Sequence, residues 1–305
     1  MTASAQNFPS KTVTLVVPYP AGGASDHAAR LIQAEYQKLL GQTVIVDNIG
    51  GVSGALGVQR VLGAPPDGHM QVFGTPIELV LSPLALQAVK FKPEDLRLAT
   101  MLTRTPVVLM VRKDIPARNV DEFVAWAKGK DISYGSVGPG SLYHLLGEKL
   151  AAATGLKMTH VPYKGGTQLI TDIGGGQVDM AFFALAGPVP GMIKEGRAKA
   201  LGVAATKPHP MFPEVPLLPQ SKLTNDFVFD IWVGLQLPKA APDAAVARVN
   251  QAGNELLKNA SVRAGIESTG GEVAAPMPVA ELDRIYAGEI ERYRKLFKSI
   301  KYDPQ

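Results

Sequence analysis

The sequence predicts an α/β protein whose chain crosses between two lobes. Three observations carry that expectation. The succession strand, glycine turn, helix occurs near the start, at Val13 to Leu39, and again at Ile132 to Leu150. A fresh α/β series opens near Pro106. A long apolar strand, Phe227 to Leu237, and two more helices then follow that second series. Alternation of strand, turn and helix indicates a parallel sheet with helices on its faces. Ligands of such sheets sit at the carboxyl ends of the strands.

The first strand is the β-branched run Val13 to Val17, and Pro18 to Asp26 forms a Pro/Gly loop. Ala28, Ala29, Leu31, Ile32, Tyr36 and Leu39 then repeat at helical spacing. Unpaired N–H groups and the positive dipole end of such a helix start attract an anion. Gly22 and Gly23 let a ligand approach the main chain, and Ser25 or Asp26 is placed to cap the helix. Thr43 to Val46 reads as a strand, Ala55 to Leu62 as a short helix and Met70 to Phe73 as a strand. The loops at Gly22-Gly23, Gly50-Gly51 and Gly74-Thr75-Pro76 all follow strands, so they share the ligand edge.

In the second series, Val107 to Val111 is a strand, and Asn119-Val120-Asp121-Glu122 opens a helix as a capping box. Val137 to Gly140 is a turn and Ser141 the cap of the helix that follows. The two helix starts, at Ser25 and at Ser141, are expected to face one cleft and hold one acidic ligand. Strands at Met158 to Val161, Val178 to Phe183 and Ala200 to Ala204 complete the series, with a helix at Thr167 to Ile173. Pro242 opens a helix to about Lys258, and Val279 to Ile300 is the last one. The expected division is residues 1–104 with 231–305 as one lobe and 105–230 as the other.

Composition narrows the function. Hydrophobic residues make up 46% of the 305, enough for ordinary cores, and charged residues only 19%, too few for a disordered or nucleic-acid-coating chain. A formal charge of +4 steers small anions mildly. The basic residues are dispersed, so no nucleic acid is expected as a partner. Arg292, Arg294, Lys295, Lys298 and Lys301 read as the solvated face of the last helix. Cysteine is absent, which excludes disulfides and thiolate chemistry. Ala3-Ser4-Ala5 has the small-x-small form of a leader-peptidase site, so an exported protein whose leader was removed is expected.

Catalytic readings find little support. Ser25, Asp26 and His27 are consecutive and cannot form a relay by adjacency. No G-x-S-x-G elbow occurs, and the five histidines are scattered without metal-ligand spacing. No catalytic residue, cofactor or metal is assigned. An enzyme acting on a carboxylate in a similar cleft is the alternative, distinguished by turnover of a bound acid.

Several stretches, in order, resemble a known family. They are Pro18 to Asp26 with Ala29-Arg30; Val46-Asp47-Asn48 with Gly50, Gly51 and Gly54; Pro66-Asp67-Gly68; Gly138 to His144; Val161 to Gly165; Gly175 to Asp179; and Trp232-Val233-Gly234. Together they are similar to the Bug family, the extracytoplasmic solute receptors of tripartite tricarboxylate transporters. The resemblance implies a Venus-flytrap fold, a carboxylated ligand (a dicarboxylate, tricarboxylate, acidic amino acid or aromatic acid), a periplasmic location and membrane transport components as partners; a hinged receptor of this kind is expected to be a monomer. It implies that the loops Tyr19–Asp26 and Gly138–Ser141 grip a carboxylate from opposite lobes. The candidate ligand-binding residues are therefore Tyr19, Ala21, Gly22, Gly23, Ala24, Ser25 and Asp26 on the first loop, and Gly138, Gly140 and Ser141 on the second. Tyr163 offers a phenol beside glycines, Thr75 follows a strand on the ligand edge, Phe183 ends a strand, and Asp179 orders backbone or water. Pro139, Leu142 and Tyr143 stand where the family carries more polar residues. They predict a more apolar pocket, suited to an aromatic or longer-chain acid.

Overall fold

The computed structural model describes residues 8–300 and 302–304; Ala3-Ser4-Ala5 and Lys301 lie outside the described residues. The first elements are β1 (Val13–Val17), α1 (Ala24–Leu40), β2 (Val44–Asn48), α2 (Ala55–Leu62) and β3 (Met70–Gly74). Strand β1 pairs in parallel with β2 and β3. Ala29, Ile32, Tyr36 and Leu40 of α1 turn inward at helical spacing, and Gly41 ends the helix at φ 73°. A π-helical turn, Ile77–Leu81, and α3 (Ser82–Ala85) follow, in a stretch where the sequence pattern shows no element.

Next comes β4 (Leu96–Arg112), 17 residues long, which runs through the middle of the sheet. The remaining elements are α4 (Val120–Ala127), β5 (Ile132–Ser136), α5 (Leu142–Thr154), β6 (Met158–Pro162), α6 (Gly166–Gly174), β7 (Met180–Ala184), α7 (Val189–Lys194), β8 (Ala198–Val203), β9 (Asp230–Pro238), α8 (Asp243–Leu256), α9 (Ala260–Ser268), β10 (Glu272–Val273) and α10 (Val279–Ser299). The sheet order is β2-β1-β3-β9-β4-β7-β5-β6, with β8 and β10 also paired to β4. The first part of β4 pairs antiparallel with β9, the second with β7 and β8.

The sequence pattern marks only Val107 to Val111 of β4 as strand. Register shifts at Leu98/Thr100 and Met101/Thr103 explain the rest. Leu98 to Thr103 are buried without a break, on both faces of the sheet, so with these shifts strict alternation is lost over Leu96 to Thr105. Strand β9 starts at Asp230 rather than Phe227, and the short helices α7 and α9 are additions. Asn119 caps α4 as expected, accepting the Glu122 N–H at 2.9 Å.

One apolar cluster, including Val16, Leu109, Leu142 and Trp232, is continuous across both lobes. A second, around Leu15, Tyr36 and Leu235, backs the first lobe. A third, around Met110, Leu169 and Phe183, backs the second. Each large side chain so buried stabilises the fold by about 1.5–3 kcal/mol. On α10, Arg292 pairs with Glu289, and Arg294 with Glu291 and Glu94. Those arginines belong to a solvated, ion-paired face.

Candidate functional site

A cavity of about 490 Å³ lies between the lobes. The first lobe supplies Tyr19, Ala21, Gly23, Ala24 and Ser25 from the β1–α1 loop, Thr75 and Ile77 after β3, and Ile231 and Val233 of β9. The second lobe supplies Val137, Tyr143, Lys164 to Gln168, Phe183 and Val189. Most of these side chains are apolar.

Two helix starts meet across this space. Helix α1 has Gly23 at its N-cap and no side chain bonded to its first N–H groups. Those donors are therefore available to a ligand. Ser25 and Asp26 do not cap the helix. The Asp26 carboxylate instead accepts the Gly22 N–H at 2.9 Å and Arg30 Nε at 3.0 Å. Burial opposes its charge, but those donors outweigh burial and hold the carboxyl below its usual range. Gly22, at φ 83°, closes that turn, and neither it nor Asp26 lines the cavity. Facing α1 is the start of α6, where Gly165 is the N-cap and again no side chain caps. A Cβ on Gly23 would stand 3.7 Å from Thr167 Oγ1, so the two starts lie in contact range. Lys164 adds a positive charge beside them. Each helix start favours an anion by about 0.3–1 kcal/mol.

The expected partner of α1 was the α5 start, and the structure places that turn differently. Ser141 caps α5, but its hydroxyl donates to Gly138 O at 2.7 Å and accepts the His144 N–H at 3.4 Å. It is fully buried and does not reach the cavity. Gly138 and Gly140, at φ 122° and 73°, press against the first lobe instead. A Cβ on Gly138 would stand 2.5 Å from Ser53 Oγ, and Ser53 donates to Pro139 O at 2.8 Å. This turn seals the lobes together. Ser141→Ala is accordingly expected to destabilise the fold by about 1 kcal/mol through loss of a cap. Urea denaturation measures it.

Two further candidates also sit away from the cavity. The Tyr163 O–H donates to Asp172 at 2.9 Å, and its ring packs in the second-lobe core. Asp179 precedes β7, at the opposite end from Ala184. There it accepts the Ser133 N–H and Arg112 Nε, both at 2.8 Å. Tyr19, Ala21, Gly23, Ala24, Ser25, Thr75 and Phe183 are the candidates that the structure brings together.

Lys164 and Glu78, not singled out from the sequence, add to them, and Tyr143, expected to make the pocket more apolar, lines the cavity as well. Lys164 heads Lys164-Gly165-Gly166-Thr167, a strand-turn-helix signal of the same design as the first. Tyr143 accepts the Ala184 N–H at 2.9 Å, which leaves its own proton uncommitted among the described residues. Glu78, a lone acid in the apolar run Ile77–Leu81, lies fully buried beneath the cavity. It accepts the Thr75 N–H, the Thr75 hydroxyl at 2.8 Å and the Tyr19 hydroxyl at 3.0 Å. Burial outweighs those bonds and pushes its pKa up to about 7. Among the described residues no His/Asp/Glu group is arranged to hold a metal ion, and no helix is long and apolar enough to cross a membrane.

A family model described as "Tripartite tricarboxylate transporter family receptor" matches residues 28–302. A curated relative from Pseudomonas sp. (strain P51), the UPF0065 protein in the tcbD-tcbE intergenic region, is 32% identical; the match covers 95% of this chain and 86% of the relative. MatC from Rhodopseudomonas palustris with bound malate has a similar structure, with TM-score 0.89, 30% identity and coverage of 95% and 99% of the two chains. Rpa4515 of R. palustris with adipate matches at TM-score 0.90 and 27% identity, over 98% and 100%. The periplasmic binding protein BugD gives the same TM-score, 0.90, at 27% identity over 98% and 100%.

Proposed function

The chain belongs to the tripartite tricarboxylate transporter receptor family, and from that premise we propose that it captures one carboxylated solute between its lobes. The observation that carries this reading is the cavity itself. It is walled by apolar side chains, yet flanked by two uncapped helix starts and Lys164. An anion finds N–H donors and positive charge at that end, and its carbon skeleton finds apolar walls beyond. Malate and adipate, bound by the similar proteins, are acids of this kind. The apolar lining here favours an aromatic or longer-chain acid over a small polyacid.

The mechanism is binding without bond-making. The solute docks on the α1 start, and the α6 start and Lys164 complete the grip as the lobes close. The bending points are the crossings at Thr103–Thr105 in β4 and Asp230–Gly234 in β9, which divide residues 1–104 with 231–305 from 105–230. Contacts made only when closed stabilise that state. The closed monomer is then read by membrane transport components on the outer face of the cytoplasmic membrane. A thermal-shift screen of aliphatic and aromatic mono-, di- and tricarboxylates tests this. One acid class should raise the melting temperature by several degrees. A shift for citrate equal to or larger than for any aromatic or long-chain acid contradicts the apolar-ligand reading.

A further inference from the structure

We propose that Glu78 makes the inner wall of this cavity a reader of hydrogen-bond donors, so that the solute carries a hydroxyl or amino group there and not a second carboxylate. The inference rests on the receptor reading above and names its substrate class further. Tyr19 and Thr75 both line the cavity, and both give their hydroxyl proton to the same Glu78 oxygen, at 3.0 and 2.8 Å. Thr75 Oγ1 also accepts the Ile77 N–H at 3.1 Å. A hydroxyl whose proton is committed offers only lone pairs. A ligand carboxylate placed here would meet two acceptors with a buried acid behind them. A hydroxyl or amine would instead donate to them.

No charged group around Glu78 reverses this polarity; the Tyr143 hydroxyl, which accepts the Ala184 N–H, is the uncommitted donor on this side among the described residues, against the two committed hydroxyls of Tyr19 and Thr75. The titratable groups that face it are Tyr19 from the β1–α1 loop, Tyr143 of α5 and Tyr286 of α10, and all three are phenols held neutral by burial. From β9 comes Gln236, which is uncharged, with its amide unpaired among the described residues. A Cβ on Gly74 would lie 2.6 Å from Glu78 Oε1 and 3.2 Å from Gln236 Oε1, so the acid and the amide flank one backbone position. No cation forms an ion pair with Glu78 among the described residues. Protonation changes the pattern: a neutral Glu78 donates to one of the two hydroxyls, and that hydroxyl's proton turns toward the cavity. Burial brings this titration near neutrality.

The test uses matched probes, 4-hydroxybenzoate against terephthalate and 6-hydroxyhexanoate against adipate, by titration calorimetry at pH 8 and pH 6. At pH 8 the wild type should prefer the hydroxy acid within the pair that fits. Glu78→Gln, whose amide N–H₂ donates to one hydroxyl, should shift that preference about tenfold toward the diacid, the scale of one hydrogen bond to a charged group. Acidifying the wild type to pH 6 should shift it in the same direction, while the Gln variant stays flat. The wild-type pH series needs no folded variant. A preference unchanged by both substitution and pH, with acids still bound, overturns the proposal and leaves the receptor reading standing. Binding of no acid by the wild type overturns that reading, and this proposal with it.

Discussion

Gly140→Val is expected to weaken solute binding by roughly 100-fold while both lobes keep their secondary structure. Two costs combine at this position. Gly140 holds φ at 73°, where a β-branched residue is strained by about 1–2 kcal/mol. A Cβ here would also overlap the Cβ of Ala85, on α3 in the first lobe. Ala85 is fully buried and its Cβ is fixed to the backbone, so it has little room to yield. Overpacking of this kind costs a further 1–3 kcal/mol or so. Parting the lobes relieves the overlap, while the backbone strain stays local to the turn, and the affinity falls with the population that can close. Calorimetry reads the affinity, and small-angle scattering reads the separation. Affinity within about threefold of wild type would show that the turn does not control closure.

Glu78→Gln is expected to stabilise the protein at pH 8 relative to its effect at pH 5 by about 2–3 kcal/mol. The sign follows from the raised pKa. The folded protein keeps Glu78 protonated up to about pH 7, whereas the unfolded chain loses that proton near the ordinary value of 4.5. Between those values the native state binds more protons, so stability falls as pH rises through the window. Glutamine removes that loss. His144 and His160 oppose it in the wild-type profile. Their rings stack at 4.1 Å, and burial lowers both to about 4. The folded state resists protonating them, so they take stability away as pH falls from 6.5 toward 4. Their contribution is common to both proteins and cancels in the difference. Urea denaturation of the pair at the two pH values gives it, and a difference independent of pH would mean that Glu78 titrates normally.

Local signals were readable wherever one segment decides the outcome. β1, its glycine turn and α1 follow from a β-branched run, two glycines and a helical spacing. The caps at Asn119 and Ser141 follow from side-chain chemistry within three residues. Which helix start faces the cavity is a different kind of fact. The α5 and α6 starts look alike in sequence, yet α5 is capped by its own serine and pressed on Ser53, while α6 begins at an uncapped glycine facing Gly23. That choice is made by packing across the lobes. β4 is legible only beyond Pro106, because its first part is buried on both faces and shifts register twice, which leaves no alternation to read. Glu78 was visible as an acid in an apolar run, but its hold on Tyr19 and Thr75 joins residues 59 apart in the chain as well as neighbours three apart.

The proposed grip on a carboxylate between the α1 and α6 starts is checked by comparing the acid that gives the largest thermal shift with its own primary amide, of nearly the same shape and uncharged. Titration calorimetry on protein unfolded and refolded to remove any carried ligand should show one acid per chain, and binding of the amide weaker by roughly 30-fold or more, since two helix starts and Lys164 each favour the charge. Equal affinity for acid and amide would contradict the account.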